Sequence, residues 1–263
     1  MLRLKACLNG GRQPAEHPAV PRTPAELAAA ARDAVRAGAE AVHLHPRAAD
    51  GSESLLAGDL GAAVGAVRGS CPGVPIGVST GLWITAGDAA RRQAEVRAWA
   101  GLDAGQRPDF ASVNLSEPGA AELLSALADA GVGVEAGVWS VADARELADT
   151  LARGVTWLRV LVEILNLPAS QAVAAADQVL AAVHTLDPRL ADGRLPVLLH
   201  GEGDACWPLI RHAGRLALAT RIGLEDTVTG PTGEPVQDNA HLVRLAAAAW
   251  SAERTEGDEA APR

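Results

Sequence analysis

The 263-residue chain has no tyrosine, one phenylalanine and one methionine, and aromatic residues make up only 3% of it. So few rings leave little for unpaired bases to stack on, which argues against a single-stranded nucleic-acid binder. Cations are scarce as well. Against 32 Asp and Glu stand 23 Lys and Arg, a formal net charge of −9, and no Lys/Arg-rich run offsets it locally. A polyanion would meet a repulsive surface, so nucleic acid is not an expected partner. The three cysteines, Cys7, Cys71 and Cys206, are odd in number, far apart and without CxxC spacing. They signal neither a disulfide framework nor a thiolate zinc site. No stretch supplies about 18 uninterrupted apolar residues, so no membrane partner is expected. The opening MLRLKACL is too short and too broken by charge for a secretory core, and a reduced cytoplasm is the expected location.

What is present is a large apolar fraction, 48%, supplied mostly by small and aliphatic side chains that suit close helix-on-strand packing. Short β-branched or apolar runs fall at 2–8, 41–45, 74–78, 110–114, 132–136, 157–164, 196–200 and 216–222. Between and after them lie amphipathic Ala/Leu-rich stretches at 24–37, 60–68, 89–102, 120–130, 141–152, 169–186, 206–213 and 239–252. Strand followed by helix, repeated eight times, predicts an α/β fold of the (β/α)8 TIM-barrel type with a parallel sheet. Residues 1–252 then form one domain. The charged stretch 253–263, nearly devoid of large apolar groups, is expected to be a disordered tail. Thr23-Pro24-Ala25-Glu26 reads as a capping box with proline at the first helical position, and Gly38 sits where that helix should end. An open dinucleotide-binding sheet fits less well, because Asn9-Gly10-Gly11-Arg12 after the first strand is no GxGxxG.

In Val42-His43-Leu44-His45-Pro46 the period of two puts both imidazoles on one face of the second strand, at its C-terminal end. That end is the mouth, where barrel enzymes place their chemistry. An HxH pair also occurs as two histidines merely satisfied by hydrogen bonds. What favours a metal is a third donor within reach, since open catalytic zinc sites use three protein ligands. The eighth strand ends in Arg221-Ile222-Gly223-Leu224-Glu225-Asp226, and in a closed barrel strands two and eight both flank strand one. The two acids also read as an ordinary acidic pair opening a helix. Glu163, at the end of the sixth strand, and His200 with Glu202, at the end of the seventh, point at the same mouth. They read as partners of the imidazoles, a fourth ligand, or loop polarity without function. Trp83 and Trp139 sit where they would either cap a pocket or pack.

These residues carry a resemblance. Asn9-Gly10 leads to Pro18-Ala19-Val20-Pro21-Arg22-Thr23-Pro24, and Gly38-Ala39 to His43-Leu44-His45-Pro46-Arg47 and Asp50-Gly51. Ser79-Thr80-Gly81, Asn114-Leu115, Arg221 through Asp226 and Asn239-Ala240-His241-Leu242-Val243 follow in order. Together they make the chain resemble the β-keto acid cleavage enzyme family, whose best-known activity is 3-keto-5-aminohexanoate cleavage. The resemblance implies a divalent metal, zinc first, on His43, His45 and Glu225. It implies Arg221 as partner of a substrate carboxylate and Asp226 as acid–base group, with Ser79, Thr80, Asn114 and Glu135 near the substrate.

The implied reaction takes a small-molecule β-keto acid and acetyl-CoA to acetoacetate and a new acyl-CoA. It also implies a homo-oligomer. Many relatives carry an acid shortly after Asn9-Gly10 where this chain has Arg12, which disfavours a cationic substrate tail and points to a neutral or anionic one. Two other readings stand beside this one. A metal-dependent hydrolase of the amidohydrolase type also uses HxH, although the fifth and sixth strands here hold no histidine. A metal-binding barrel without turnover is the other.

Overall fold

The computed structural model describes residues 3–151 and 155–260. Residue 2 of the expected first strand, residue 152 of the expected fifth helix and residues 261–263 of the expected tail lie outside the described residues. The strands are β1 (Leu4–Cys7), β2 (Ala41–Leu44), β3 (Ile76–Ser79), β4 (Phe110–Asn114), β5 (Gly133–Val138), β6 (Trp157–Ile164), β7 (Val197–Gly201) and β8 (Thr220–Ile222). All pair in parallel in the order β7-β6-β5-β4-β3-β2-β1-β8. A bridge between Leu198 and Ala219 closes the ring, reinforced by Leu199 N–H donating to the Ala219 carbonyl at 2.9 Å. The fold is therefore the expected (β/α)8 barrel, and parallel strands are joined by helical crossovers because no short turn can return the chain to the same end.

The helices are α1 (Pro24–Arg36), α2 (Ala57–Ser70), α3 (Ala89–Arg97), α4 (Ala120–Asp129), α5 (Val141–Leu151), α6 (Ala169–His184), α7 (Pro188–Ala191), α8 (Cys206–Arg215) and α9 (Asn239–Ala260). None is long and apolar enough to cross a membrane among the described residues. At α1 the capping box is present in both directions: Thr23 Oγ1 accepts from Glu26 N–H at 3.2 Å, and Glu26 Oε2 accepts from Thr23 N–H at 2.9 Å. Apolar side chains such as Leu27, Leu60, Leu123, Leu147 and Val243 fill the layer between helices and sheet, all fully buried.

Three departures from the sequence expectation have identifiable reasons. The apolar run 216–222 reads as strand from its start, yet Leu216–Leu218 finish α8. Leu218 N–H donates to the Ala213 carbonyl (2.9 Å) and Ala217 N–H to that of Gly214 (3.1 Å), with Ala217 left-handed at φ 57°, a Schellman end. The final helix runs to Ala260 rather than stopping near residue 252. No proline falls between Asn239 and position 262, and Glu253 pairs with Arg215 of α8 at 2.9 Å. The one-turn α7 was not foreseen; Asp187 caps it by accepting from Arg189 N–H at 2.8 Å.

The barrel interior is unusually polar for this architecture, which commonly fills it with branched aliphatic side chains. Lys5 and Arg159 clamp Glu135 between them, all three buried, with the Arg159 guanidinium 4.9 Å from the Phe110 ring centroid. Gly77, beside Phe110 in the next strand, leaves the space that ring occupies.

Candidate functional site

Two asparagines fasten the strand ends that make up the mouth. After β1, Asn9 accepts from His45 N–H and donates to the His45 carbonyl, both at 2.9 Å, so the exit of β2 is held on both sides of its peptide. Asn239, opening α9, does the same for the other flank: it donates to the Leu8 carbonyl and accepts from Leu224 N–H, each at 2.9 Å. The backbone before Glu225 and that of His45 are thus both referenced to the end of β1. Gly10 completes the fit. It takes φ 52°, and a Cβ there would lie 2.4 Å from Glu225 Cγ.

The result brings His43, His45 and Glu225 together. Their Nε2, Nε2 and Oε2 atoms are 3.2 Å (His43–His45), 3.6 Å (His45–Glu225) and 3.9 Å (His43–Glu225) apart. Donors about 2.0–2.1 Å from a tetrahedral zinc are about 3.3 Å from one another. The triangle is close to that size, and Glu225 Oε2 has no hydrogen-bond partner among the described residues. Burial keeps the His43 imidazole well below its ordinary range and hence neutral. At His45 burial also opposes charge, but Glu225 and Glu53 outweigh it and raise the ring to about 9. A divalent cation bound by these three atoms would compete with protons for them. Cys7, Glu225 and Asp226 also cluster within 4.8 Å. Burial holds the Cys7 thiol well above its usual range, so it offers no thiolate.

Beside the triangle, Arg221 binds three acids. Its Nη2 donates to Glu225 Oε1 (2.9 Å) and Asp226 Oδ1 (2.7 Å), its Nε to Asp226 Oδ1 (3.1 Å), and its Nη1 lies 3.5 Å from Glu163. Burial lifts the Glu225 carboxyl, but Arg221 and the two imidazoles pull it well below the usual range. For Asp226 burial prevails, helped by the Glu225 charge, and its carboxyl stands above the usual range. Asp226 is fully buried, its Oδ2 is without a partner among the described residues, and it lies behind Arg221 rather than in the pocket wall.

A cavity of about 420 Å³ opens over these groups, walled by Ser79, Ser112, Asn114, Trp83, Trp139 and Leu165, with Arg12, Glu16 and Glu202 toward the rim. Ser79 and Asn114 line this cavity. Two expected neighbours of the substrate do not. Thr80 turns its hydroxyl onto the Ser112 carbonyl, and Glu135 lies deeper in the barrel between Lys5 and Arg159. Position alone, on the outlet half of a strand, does not distinguish a residue at the mouth from one a layer below. Arg12 pairs with Glu16 at 3.0 Å and donates to the Glu225 carbonyl at 3.3 Å.

Glu163 and His200 bond each other at 2.7 Å, and Trp139 Nε1 donates to Glu163 at 3.0 Å, so they brace Arg221 rather than the imidazoles. Burial disfavours the Glu163 carboxylate, yet His200, Arg221 and Trp139 bring it down from 4.5 to about 2. A carboxylate lowered on folding stabilises fully above its ordinary value and loses that contribution as pH falls from 4.5 toward 2. In urea titrations, wild type should lose at most about 3 kcal/mol more than Glu163→Gln across this range. Parallel losses in the two proteins would remove Glu163 from the acid-sensitive set.

Two residues at the site escaped motif reading. Glu53 bonds His45 Nδ1. Glu117 joins the exits of β3 and β4 by accepting from Leu82 N–H (3.0 Å), Asn114 Nδ2 (2.8 Å) and Arg92. The turn signal Asp50-Gly51 is the one cue that would have returned the chain, and with it Glu53, to the strand it had left.

A profile of the beta-keto acid cleavage enzyme family matches residues 2–256. Over 81 residues the sequence is 40% identical to a 3-keto-5-aminohexanoate cleavage enzyme of Fusobacterium nucleatum subsp. nucleatum, a stretch covering 30% of either chain. Among solved structures, ObcA in a ternary complex with a C4-CoA adduct and oxalate superposes with a TM-score of 0.63 at 18% identity, over 92% of this chain and 64% of ObcA. The carboxyl transferase domain of Rhizobium etli pyruvate carboxylase, solved with pyruvate and biocytin, superposes with 0.60 at 13% identity, over 97% of this chain and 47% of that one. At such identities the structural likeness is one of fold. The chain spans just under two thirds of ObcA and less of the carboxylase domain.

Proposed function

Since the chain belongs to the beta-keto acid cleavage enzyme family, we propose that it converts a β-keto acid and acetyl-CoA into acetoacetate and a new acyl-CoA. The exchange balances without an oxidant or reductant. The acyl group leaves the CH2–COO− unit of the keto acid for the CoA sulfur, and the acetyl group takes its place on that unit. The observation that carries this reading is the convergence of His43, His45 and Glu225 at the barrel mouth, beside a buried arginine and a carboxylic acid of raised pKa.

His43, His45 and Glu225 would hold a divalent cation, and the imidazole-rich donor set suits zinc. Bound there, the ion supplies Lewis acidity that polarises a keto oxygen. Arg221 Nη1, the guanidinium nitrogen least engaged by the three acids, is the one that takes the substrate carboxylate. Asp226 moves the proton that enolate formation requires. Burial raises its carboxyl above the usual range, the direction that suits a group that must both take and return a proton. Ser79 and Asn114 orient the substrate from the β3 and β4 side, and Trp83 and Trp139 wall the cavity against water. With Arg12 at the rim already answered by Glu16, a cationic substrate tail gains nothing there, and a neutral or anionic tail fits better.

The test is a panel of β-keto acids incubated with acetyl-CoA and read by mass spectrometry, with and without chelator. One keto acid or more should yield acetoacetate with the matching acyl-CoA, and chelation should abolish both products until zinc is returned. Zinc-reconstituted, folded protein that gives no exchange across the panel would overturn the reading.

A further inference from the structure

Glu53 reaches the site because residues 46–54 fold back on themselves. Ala48 N–H donates to the Ser52 carbonyl, Gly51 N–H to that of Ala48 and Ser54 N–H to that of Pro46, each at 2.9 Å, and Arg47 pairs with Glu53 in an antiparallel bridge. Asp50 Oδ1 closes the turn by accepting from Ser52 N–H (2.9 Å) and Oγ (2.6 Å), while Gly51 adopts φ 88°, a conformation that a side chain would strain. The returning segment sets the Glu53 carboxylate against the ring of a residue eight positions earlier. One oxygen bonds His45 Nδ1, and the other accepts from Trp83 Nε1 at 3.1 Å. The Trp83 ring lies over His45 at 6.4 Å, nearly parallel at 24°. The Glu53 side chain is 13% exposed, and both its oxygens are engaged.

We propose that Glu53 is a positioning residue for the metal: it accepts a hydrogen bond from His45 Nδ1–H, turns Nε2 toward His43 and Glu225, and is itself held in place by Trp83. The inference rests on the metal reading above. It also assigns unequal parts to the two histidines. His43 Nδ1 has no hydrogen-bond partner among the described residues, so that ring is held by packing in its strand, whereas His45 is aimed by a carboxylate. Outer partners of this kind fix the tautomer and raise ligand basicity, and their loss typically weakens metal binding about 10–100-fold.

The experiment compares wild type, Glu53→Ala, Glu53→Gln and Trp83→Phe by zinc–chelator competition, by the visible spectrum of the cobalt-substituted proteins and by melting of the metal-free chains. Glu53→Ala should bind zinc about 10–100-fold more weakly and shift the cobalt bands, with melting of the metal-free chain little changed. Glu53→Gln, which still accepts from Nδ1–H, should lose less, and Trp83→Phe least. Should Glu53→Ala fail to fold, Glu53→Gln carries the comparison. If wild type binds one metal and the Glu53 variants bind it equally well with unaltered cobalt bands, this inference falls and the metal site stands. If wild type binds none, both fall.

Discussion

Asp226→Asn should lower kcat for acyl exchange by about 10²–10⁴-fold while one metal per chain remains bound, the range by which a positioned acid–base group speeds proton transfer. The amide keeps an oxygen for the two Arg221 donors that now meet Asp226 Oδ1, so the guanidinium stays in place. What the amide cannot do is carry a proton. Asp226 lies behind Arg221 and is fully buried, which admits a rival role as a structural counter-ion. The two roles separate cleanly in steady-state kinetics paired with melting and metal analysis. A counter-ion role predicts a fall in melting temperature and a raised KM, with kcat within several-fold of wild type. That second pattern would take Asp226 out of the chemistry.

Glu225→Gln and His43→Ala should each weaken zinc binding by more than about 100-fold, beyond what losing an outer partner costs, and activity should fall with occupancy. Glu225→Gln is the sharper of the two. It keeps the length of the side chain and an acceptor for Arg221, yet it removes the charge from the oxygen that now faces both imidazoles at 3.6 and 3.9 Å. Competition against a chelator of known affinity measures the loss. Retention of one metal at wild-type affinity would move the site elsewhere.

How much of this was legible beforehand depended on the range of the interaction. Alternating strand and helix patterns are local, and the eight strands fall near their expected places. The histidine pair was equally readable, because a strand's period of two leaves no freedom about which residues share a face. Bringing Glu225 to them required only that the sheet close, which it does through Leu198 and Ala219. Depth inside the barrel was not legible. Glu135 and Asn114 lie on neighbouring strands, but Glu135 pairs in register with Ser112, one inward-facing position below Asn114, and there it meets Lys5 and Arg159 instead of the cavity. Nor was the end of α8, since Leu216-Ala217-Leu218 is apolar enough for a strand and only the left-handed Ala217 turns it into a helix stop. Glu53 lay beyond reach because its partner is set by a loop returning on itself, and loop paths follow turn geometry rather than periodicity.

β8 is the shortest strand of the barrel, and on the side of β7 it is joined by a lone bridge. Proteins open locally where their fastenings are fewest, long before they unfold as a whole. The strand that leads into Arg221, Glu225 and Asp226 is therefore the stave most easily loosened. An ion held by the two histidines of the β2 end and by Glu225 would tie together strand ends on either side of β1. Through mass action it would favour the closed ring over any state in which β8 has come away. A metal bound by this set would thus also reinforce the weakest joint of the barrel.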